Sequence, residues 1–336
     1  MKTNATPFFL FVILILLLHV SCKTKQNLVP EKRKPNTVGN TSDELYNMNR
    51  TMPSYLKDKE LFKELLKKHA VSAVDYQHID TLKEMEMHYF VFPLKVVMVI
   101  NKDKPKYVSK AKIEKGLNIL NRGLVNCWVQ FQLIGIDTLS SKSTINALKS
   151  NSYAEYYRFS KLHDSQDTCT LYLFDNDDEL CEKFSCARTQ GFANILETYT
   201  NNVVLDKFFI DDYKVIVHEF GHYFGLYHTA ETTFGIEKVS GENCKTTGDK
   251  ICDTPADPGE LYNVYVNYSN CEMKGFKESG SGLEYRPMID NYMSYYNHCY
   301  YRPFRFSQGQ LDVMLNAAIQ IRHNQIVLLA EMPLFY

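Results

Sequence analysis

The sequence is short of several things, and each shortage closes off a class of protein. It has almost no net charge: 38 Lys and Arg against 39 Asp and Glu leave a formal −1. A chain so balanced lacks the electrostatic footprint of a nucleic-acid binder. It has no internal repeat and no low-complexity block, which excludes solenoids and arrays. No apolar run reaches the roughly 20 residues of a comfortable membrane span. Tryptophan occurs once, against 23 Tyr and 20 Phe, so the aromatics read as a Tyr/Phe-rich core and surface. What is present is ordinary for a globular protein: 45% apolar and 23% charged residues over 336 positions, enough for one large domain or two modest ones.

The N-terminus reads as an export signal. Lys2 supplies positive charge, Phe8 to Leu18 is unbroken apolar sequence, and His19-Val20-Ser21-Cys22 follows. Cys22 stands where a bacterial lipoprotein carries its lipidated cysteine, although His19 occupies the place usually held by an apolar residue. Ordinary signal cleavage and an uncleaved anchor are the alternatives. Of the 9 cysteines, setting Cys22 aside leaves an even number, which suits an oxidising compartment. Residues 23–53 are polar and lack apolar periodicity, as a flexible tether would. Within 54–70, Leu56, Leu61, Leu65 and Leu66 recur at helical spacing between charges.

The globular part is expected to begin near Met87. Residues 88–100 are β-branched and aromatic, a buried strand. Ser109 is a candidate N-cap for a helix to about Val125. Residues 127–136, 168–174 and 203–205 read as further strands, and 189–195 as a short edge strand with Gly191 at a bulge or close backbone approach. Asp211 or Asp212 then caps a helix running through His218. This order suggests an α/β (α+β) domain, a twisted mixed sheet with helices packed on it.

The chemistry concentrates at His218-Glu219-Phe-Gly-His222-Tyr-Phe-Gly225-Leu-Tyr-His228. Residues four apart on a helix lie one above the other, so His218 and His222 can grip one cation from one face. Glu219 sits one step round, beside the ion, where a base that deprotonates water belongs. Gly225 can end the helix, because a left-handed residue costs glycine nothing. The chain then turns and His228 supplies a third ligand. Three neutral imidazoles with an open fourth position suit catalytic Zn²⁺.

Downstream stand Gly248-Asp249-Lys-Ile-Cys252-Asp253-Thr254-Pro255, then Asn291-Tyr-Met293-Ser-Tyr295, Cys299, and Phe306-Ser307-Gln308-Gly309-Gln310. With the long histidine motif, this set resembles the metzincin metallopeptidases, and within them the pappalysin family and its bacterial cytophagalysin-like branch. The resemblance runs over about 88–322, is most specific from His218 to Gln310, and is loose upstream. It implies a metzincin-like zincin with an active-site helix and a C-terminal subdomain after the third zinc histidine. It further implies zinc on His218, His222 and His228, Glu219 as base and then acid, and Met293 as an apolar floor under the metal. Tyr295 would lie near the metal as an oxyanion stabiliser, with a packing tyrosine as the alternative. Residues 189–195 are the candidate rim strand for binding an extended peptide.

On this basis the expected organisation is a signal over 1–22, a tether over 23–53, and a helical segment over 54–86 with a pro-segment role as the alternative. A metallopeptidase domain follows over 87–325 and a tail over 326–336. No cysteine between Cys22 and Cys127 can plug the metal from a pro-segment, while Asp75 or Asp80 could. Cysteine connectivity does not follow from sequence. The pairs expected are Cys271 with Cys299, Cys244 with Cys252, Cys181 with Cys186, and Cys127 with Cys169. Some relatives bind Ca²⁺, and Asp175-Asn-Asp177-Asp178-Glu179 is the most acidic run, though it lacks the spacing of a calcium loop and a solvated turn is the simpler reading. The expected protein is an exported zinc endopeptidase acting on protein or peptide substrates. It would be lipid-anchored at the outer membrane or cell surface, or else periplasmic or secreted. The alternative is an inert, zinc-stabilised surface lipoprotein, which would be expected to lack Glu219.

Overall fold

In a computed structural model of the chain, the residues described are 89–100, 105–140, 153–175, 190–193, 200–259, 264–296, 302–322, 325–326 and 328–330. The expected signal with Cys22, the tether, and the helical segment 54–86 lie outside them. In chain order the elements are β1 (Tyr89–Val99), α1 (Lys110–Gly123), β2 (Val129–Leu139), α2 (Tyr153–His163), β3 (Cys169–Phe174), β4 (Gly191–Ala193), β5 (Asn202–Asp206), α3 (Val215–Tyr223), β6 (Val266–Asn267), β7 (Glu272–Met273), α4 (Gln308–Gln320) and β8 (Leu328–Ala330).

The main sheet runs β2-β1-β3-β5-β4. β1, β2, β3 and β5 are parallel, and β4 closes one end antiparallel to β5. The sheet is therefore mixed, with the twist that L-residues impose on adjacent strands. β1 is buried along nearly its whole length, as a near-continuous apolar strand in a two-sided sheet should be. One edge of β1 pairs with β2; the other is shared by β8, opposite Tyr89–Val91, and β3, opposite Leu94–Met98. Pro93 falls in the gap between those two partners, where a residue without an N–H is tolerated in a central strand.

Alternation along the strands sorts the core into two faces. Val96, Leu171, Leu173, Val203 and Leu205 point to the side packed by α1 and α3. Val97, Tyr172, Phe174 and Val204 point to the side that also holds Tyr156 and Phe159 of α2. α1 begins where expected: Ser109 caps it by accepting the Lys112 N–H at 3.2 Å. Ile113, Leu117 and Leu120 then recur on its buried face. α2 was not legible in the sequence, because Tyr, Phe and charged residues over 153–163 give only a weak apolar stripe.

The expected Cys127–Cys169 disulfide is absent; both thiols are free and buried. The sheet explains this. Cys127 precedes β2 and Cys169 opens β3, with β1 between them. Two strand spacings are about 9–10 Å, beyond the Cα separation a disulfide spans. The Cys127 sulfhydryl instead donates to the Leu124 carbonyl, and burial pushes both thiols up to about 12. Cys244–Cys252 is bridged as expected. Cys271 is in a disulfide whose partner lies outside the described residues, as do Cys181, Cys186 and Cys299.

Among the described residues after His228, regular structure thins to the β6–β7 hairpin, α4 and β8. Here polar contacts set the course of the chain. The Asp253 carboxylate accepts the Ser307 hydroxyl at 2.7 Å and the Gly309 N–H at 2.8 Å, tying the Cys-Asp-Thr-Pro turn to the start of α4. Ser307 and Gln310 form a capping box there. Gln310 also exchanges hydrogen bonds with Asn291, at 2.7 and 3.2 Å, and Asn291 accepts the Met293 N–H at 2.8 Å. The spaced Asn, Met and Gln of the sequence thus meet in one buried knot.

Candidate metal centre

α3 carries His218, Glu219 and His222. Its other side holds Phe220, with Tyr223 and Phe224 at its end, all fully buried. Phe131 of β2 meets the Phe220 and Phe224 rings at 4.7 and 6.0 Å, and Phe92 of β1 meets Phe224 at 5.7 Å. Aromatic packing on the sheet therefore sets which face of the helix is left for chemistry. Asp212 accepts the N–H groups of Lys214 and Val215, each at 3.0 Å, and so supplies the N-terminal cap.

The helix ends in a Schellman turn. Gly225 has φ +96°, its N–H donates to His222 O at 2.8 Å, and Leu226 N–H donates to Gly221 O at 3.0 Å. This turn swings the Leu226 carbonyl back onto the helix, where it accepts Nδ1–H of His222 at 2.7 Å. His218 is braced by the methionine turn, its Nδ1 lying 2.7 Å from the Tyr292 carbonyl. His228 is braced by a side chain, its Nδ1 lying 2.8 Å from the Tyr295 hydroxyl. Carbonyls can only accept, so the neutral His218 and His222 rings carry their protons on Nδ1 and turn unprotonated Nε2 atoms inward.

Those nitrogens converge. The three Nε2 atoms of His218, His222 and His228 stand 3.1 Å from one another, and all three rings are buried. Lone pairs so arranged repel unless a cation lies between them. A tetrahedral ion with bonds of about 2.0–2.1 Å places its ligand atoms about 3.3 Å apart, so the trio fits zinc. Burial holds His222 down to about 4 and His218 and His228 well below their ordinary range, which keeps the rings in the neutral ligand form. Glu219 is fully buried beside them, and neither carboxylate oxygen has a hydrogen-bond partner among the described residues. Burial pushes its carboxyl well above the usual range.

Met293 lies fully buried under the helix. A Cβ on Gly221 would stand 2.5 Å from its sulfur, so the glycine between the histidines lets the thioether close up against the helix. The sequence reading did not single out Gly221; its only signal there was the glycine inside the short motif. Tyr295 is brought to the cluster, with its hydroxyl on the outer nitrogen of a ligand ring. β4 (Gly191–Ala193) lies within the expected rim strand 189–195, whose residues 189, 194 and 195 lie outside the described ones. Asp175 pairs with Lys207 and, at 3.5 Å, with Lys106; the rest of its acidic run lies outside the described residues.

This is a mixed α/β domain consistent with a metzincin-like zincin fold, with a buried three-histidine cluster, on α3 and the turn after it, that could hold a cation. Comparison with known proteins agrees. Residues 189–319 match the Peptidase M43 family model, described as pregnancy-associated plasma protein-A. Residues 110–229 match the reprolysin-like model of metallopeptidase family M12B. Both matches contain the full histidine motif. An extracellular metalloprotease of Sordaria macrospora is 33% identical over 111 residues, 33% of this chain and 31% of the relative. One of Neurospora crassa shows the same figures, 33% over 111 residues, with 33% and 31% covered. One of Arthroderma otae is 27% identical over 110 residues, 30% of this chain and 37% of its own. The chain spans about a third of the length of the curated relatives it matches.

Proposed function

We propose that the protein is an exported zinc endopeptidase in which Glu219 is the general base. One observation carries the reading: a buried carboxylate with no hydrogen-bond partner among the described residues stands next to His218 on the helix, beside three convergent imidazole nitrogens. His218, His222 and His228 would hold a zinc ion, which would supply Lewis acidity of the kind that lowers the pKa of water to about 7 and polarises a carbonyl.

The chain's own groups do the rest. Glu219 takes the proton of the attacking water and later delivers it to the nitrogen of the leaving amine, a role suited to a carboxyl whose proton affinity is raised by burial. Leu226 O, Tyr292 O and the Tyr295 hydroxyl hold the imidazoles in the ligating tautomer. The Tyr295 hydroxyl can accept from His228 and donate its own proton onward, which leaves open a second role toward an oxyanion. β4 pairs only with β5 among the described residues, so its outer edge can receive an extended peptide by strand addition. Met293 is the apolar floor. Within the pappalysin-like proteins, the downstream motifs support the bacterial cytophagalysin-like branch.

The test is cleavage of casein by the purified protein with and without phenanthroline, beside Glu219→Ala. Chelation should abolish cleavage. The variant should keep its zinc and lose about 10²–10⁴-fold in rate. Undiminished cleavage by that variant would overturn the role of Glu219. Export is supported by the extracellular relatives, and anchoring at Cys22 by its position after the apolar run. Acyl labelling of the wild type that disappears in Cys22→Ala is the expected result; an unlabelled wild type would end the lipoprotein reading.

A further inference from the structure

Each histidine of the site is held by a hydrogen bond to its outer nitrogen; the Glu219 carboxylate has none among the described residues. Its placement must therefore come from contact. The wall it stands against is Gly191, the first residue of β4. A Cβ built on Gly191 would lie 3.0 Å from Glu219 Cγ, 2.9 Å from the Val204 carbonyl oxygen and 2.5 Å from Leu205 Cδ2. All three distances are tighter than ordinary van der Waals contact. Gly191 has no positive φ, so glycine is required here for space and not for backbone conformation.

Resting on the proposed role of Glu219, we infer that Gly191 is a positioning residue for the catalytic base. Its bare Cα forms one side of the slot in which the Glu219 side chain stands, so β4 sets the carboxylate's place. The three neighbours of an added methyl differ in how they can respond. The Val204 carbonyl belongs to the β4–β5 pair, where Phe192 lies opposite Val204 and Gly191 opposite Leu205. Leu205 is fully buried in the main core. The Leu205 side chain is confined by the core around it, whereas the Glu219 carboxylate has no hydrogen bond among the described residues to resist displacement, so the methyl is accommodated by moving the Glu219 side chain. The same contact links the rim strand to the chemistry: a shift of β4 on receiving a peptide reaches the base directly.

The experiment is a double-mutant cycle on the full chain with Gly191→Ala, Glu219→Ala and the pair. Gly191→Ala should keep one zinc per chain and a near-wild-type KM while kcat falls about a hundredfold, the scale of a displaced catalytic group. Its loss of melting temperature should shrink when Glu219→Ala has removed the opposing Cγ, a readout independent of activity. A kcat within about twofold of wild type, or an equal melting loss in both backgrounds, would overturn the inference. Should Gly191→Ala fail to fold, folding of the double variant supports the contact, and failure of both assigns Gly191 to sheet packing and overturns it. Glu219→Ala with full activity would instead remove the proposed function itself, whatever Gly191 does.

Discussion

The sheet half of the molecule and the segment after His228 both bury apolar side chains, but the second adds a disulfide and directional polar ties. Up to Tyr223 the chain is organised by apolar burial: strands alternate between two cores, and the site helix lies on Phe131 and Phe92. After His228 the described residues have less regular structure: α4 joins the main core through Met314, Leu315 and Ala318, a small apolar cluster gathers Met273, Tyr285, Ile289 and Tyr296, and a disulfide, the Asp253 cap and the Asn291–Gln310 exchange tie the turns between them. The first half aims the helix, and the second supplies Tyr292 O and Tyr295 that aim two of the three rings. Hydrophobic packing is non-directional and can place an element; orienting an imidazole takes the directionality of a hydrogen bond.

That contrast can be broken most forcefully at Phe131. It is fully buried and joins the sheet to the site helix, so Phe131→Ala should cost about 3–5 kcal/mol of stability, read from denaturant midpoints. A loss confined to zinc affinity with stability intact would mean the helix is not held by the sheet.

A smaller effect sits in the sheet half's own polar cluster. Asp164 accepts from Tyr172 at 3.2 Å and from Asn202 at 2.6 Å, yet burial outweighs these bonds and raises it to about 6. A carboxyl whose folded pKa lies above its unfolded value binds its proton more tightly when folded. The stability it adds is present below about pH 4 and is lost as pH rises to about 6. Relative to wild type, Asp164→Asn should therefore gain on the order of 3 kcal/mol between those limits, measured by paired melts so that shared titrations cancel. A pH-independent difference would show that the hydrogen bonds win.

The smallest expected effect tests the second half. Tyr295→Phe removes the acceptor from His228 and should weaken zinc binding about tenfold, with little change in melting of the metal-free protein. Unchanged zinc affinity with a fall in kcat alone would assign the hydroxyl to the oxyanion instead.

The site was more legible than its supports. His218, His222 and Glu219 follow from helical spacing, and the Gly225 stop from a conformation only glycine adopts freely. Asn291 and Gln310 were visible as motif members, but not as hydrogen-bond partners 19 residues apart. The Cys127–Cys169 pairing failed because sequence distance carries no information on strand order. α2 was missed because its apolar residues face a small second core and give a diffuse periodicity.

Sequence alone determined which donors exist and that one helix presents two of them with a carboxylate beside them, since local spacing and backbone geometry suffice for that. The motif also put His228 within reach as the third donor; only the tertiary structure decided that carbonyls and a tyrosine orient the rings, and that Gly191 faces Glu219. Those contacts join residues distant in the chain, and no local preference encodes them; they exist once burial of the two cores has fixed the order of the strands.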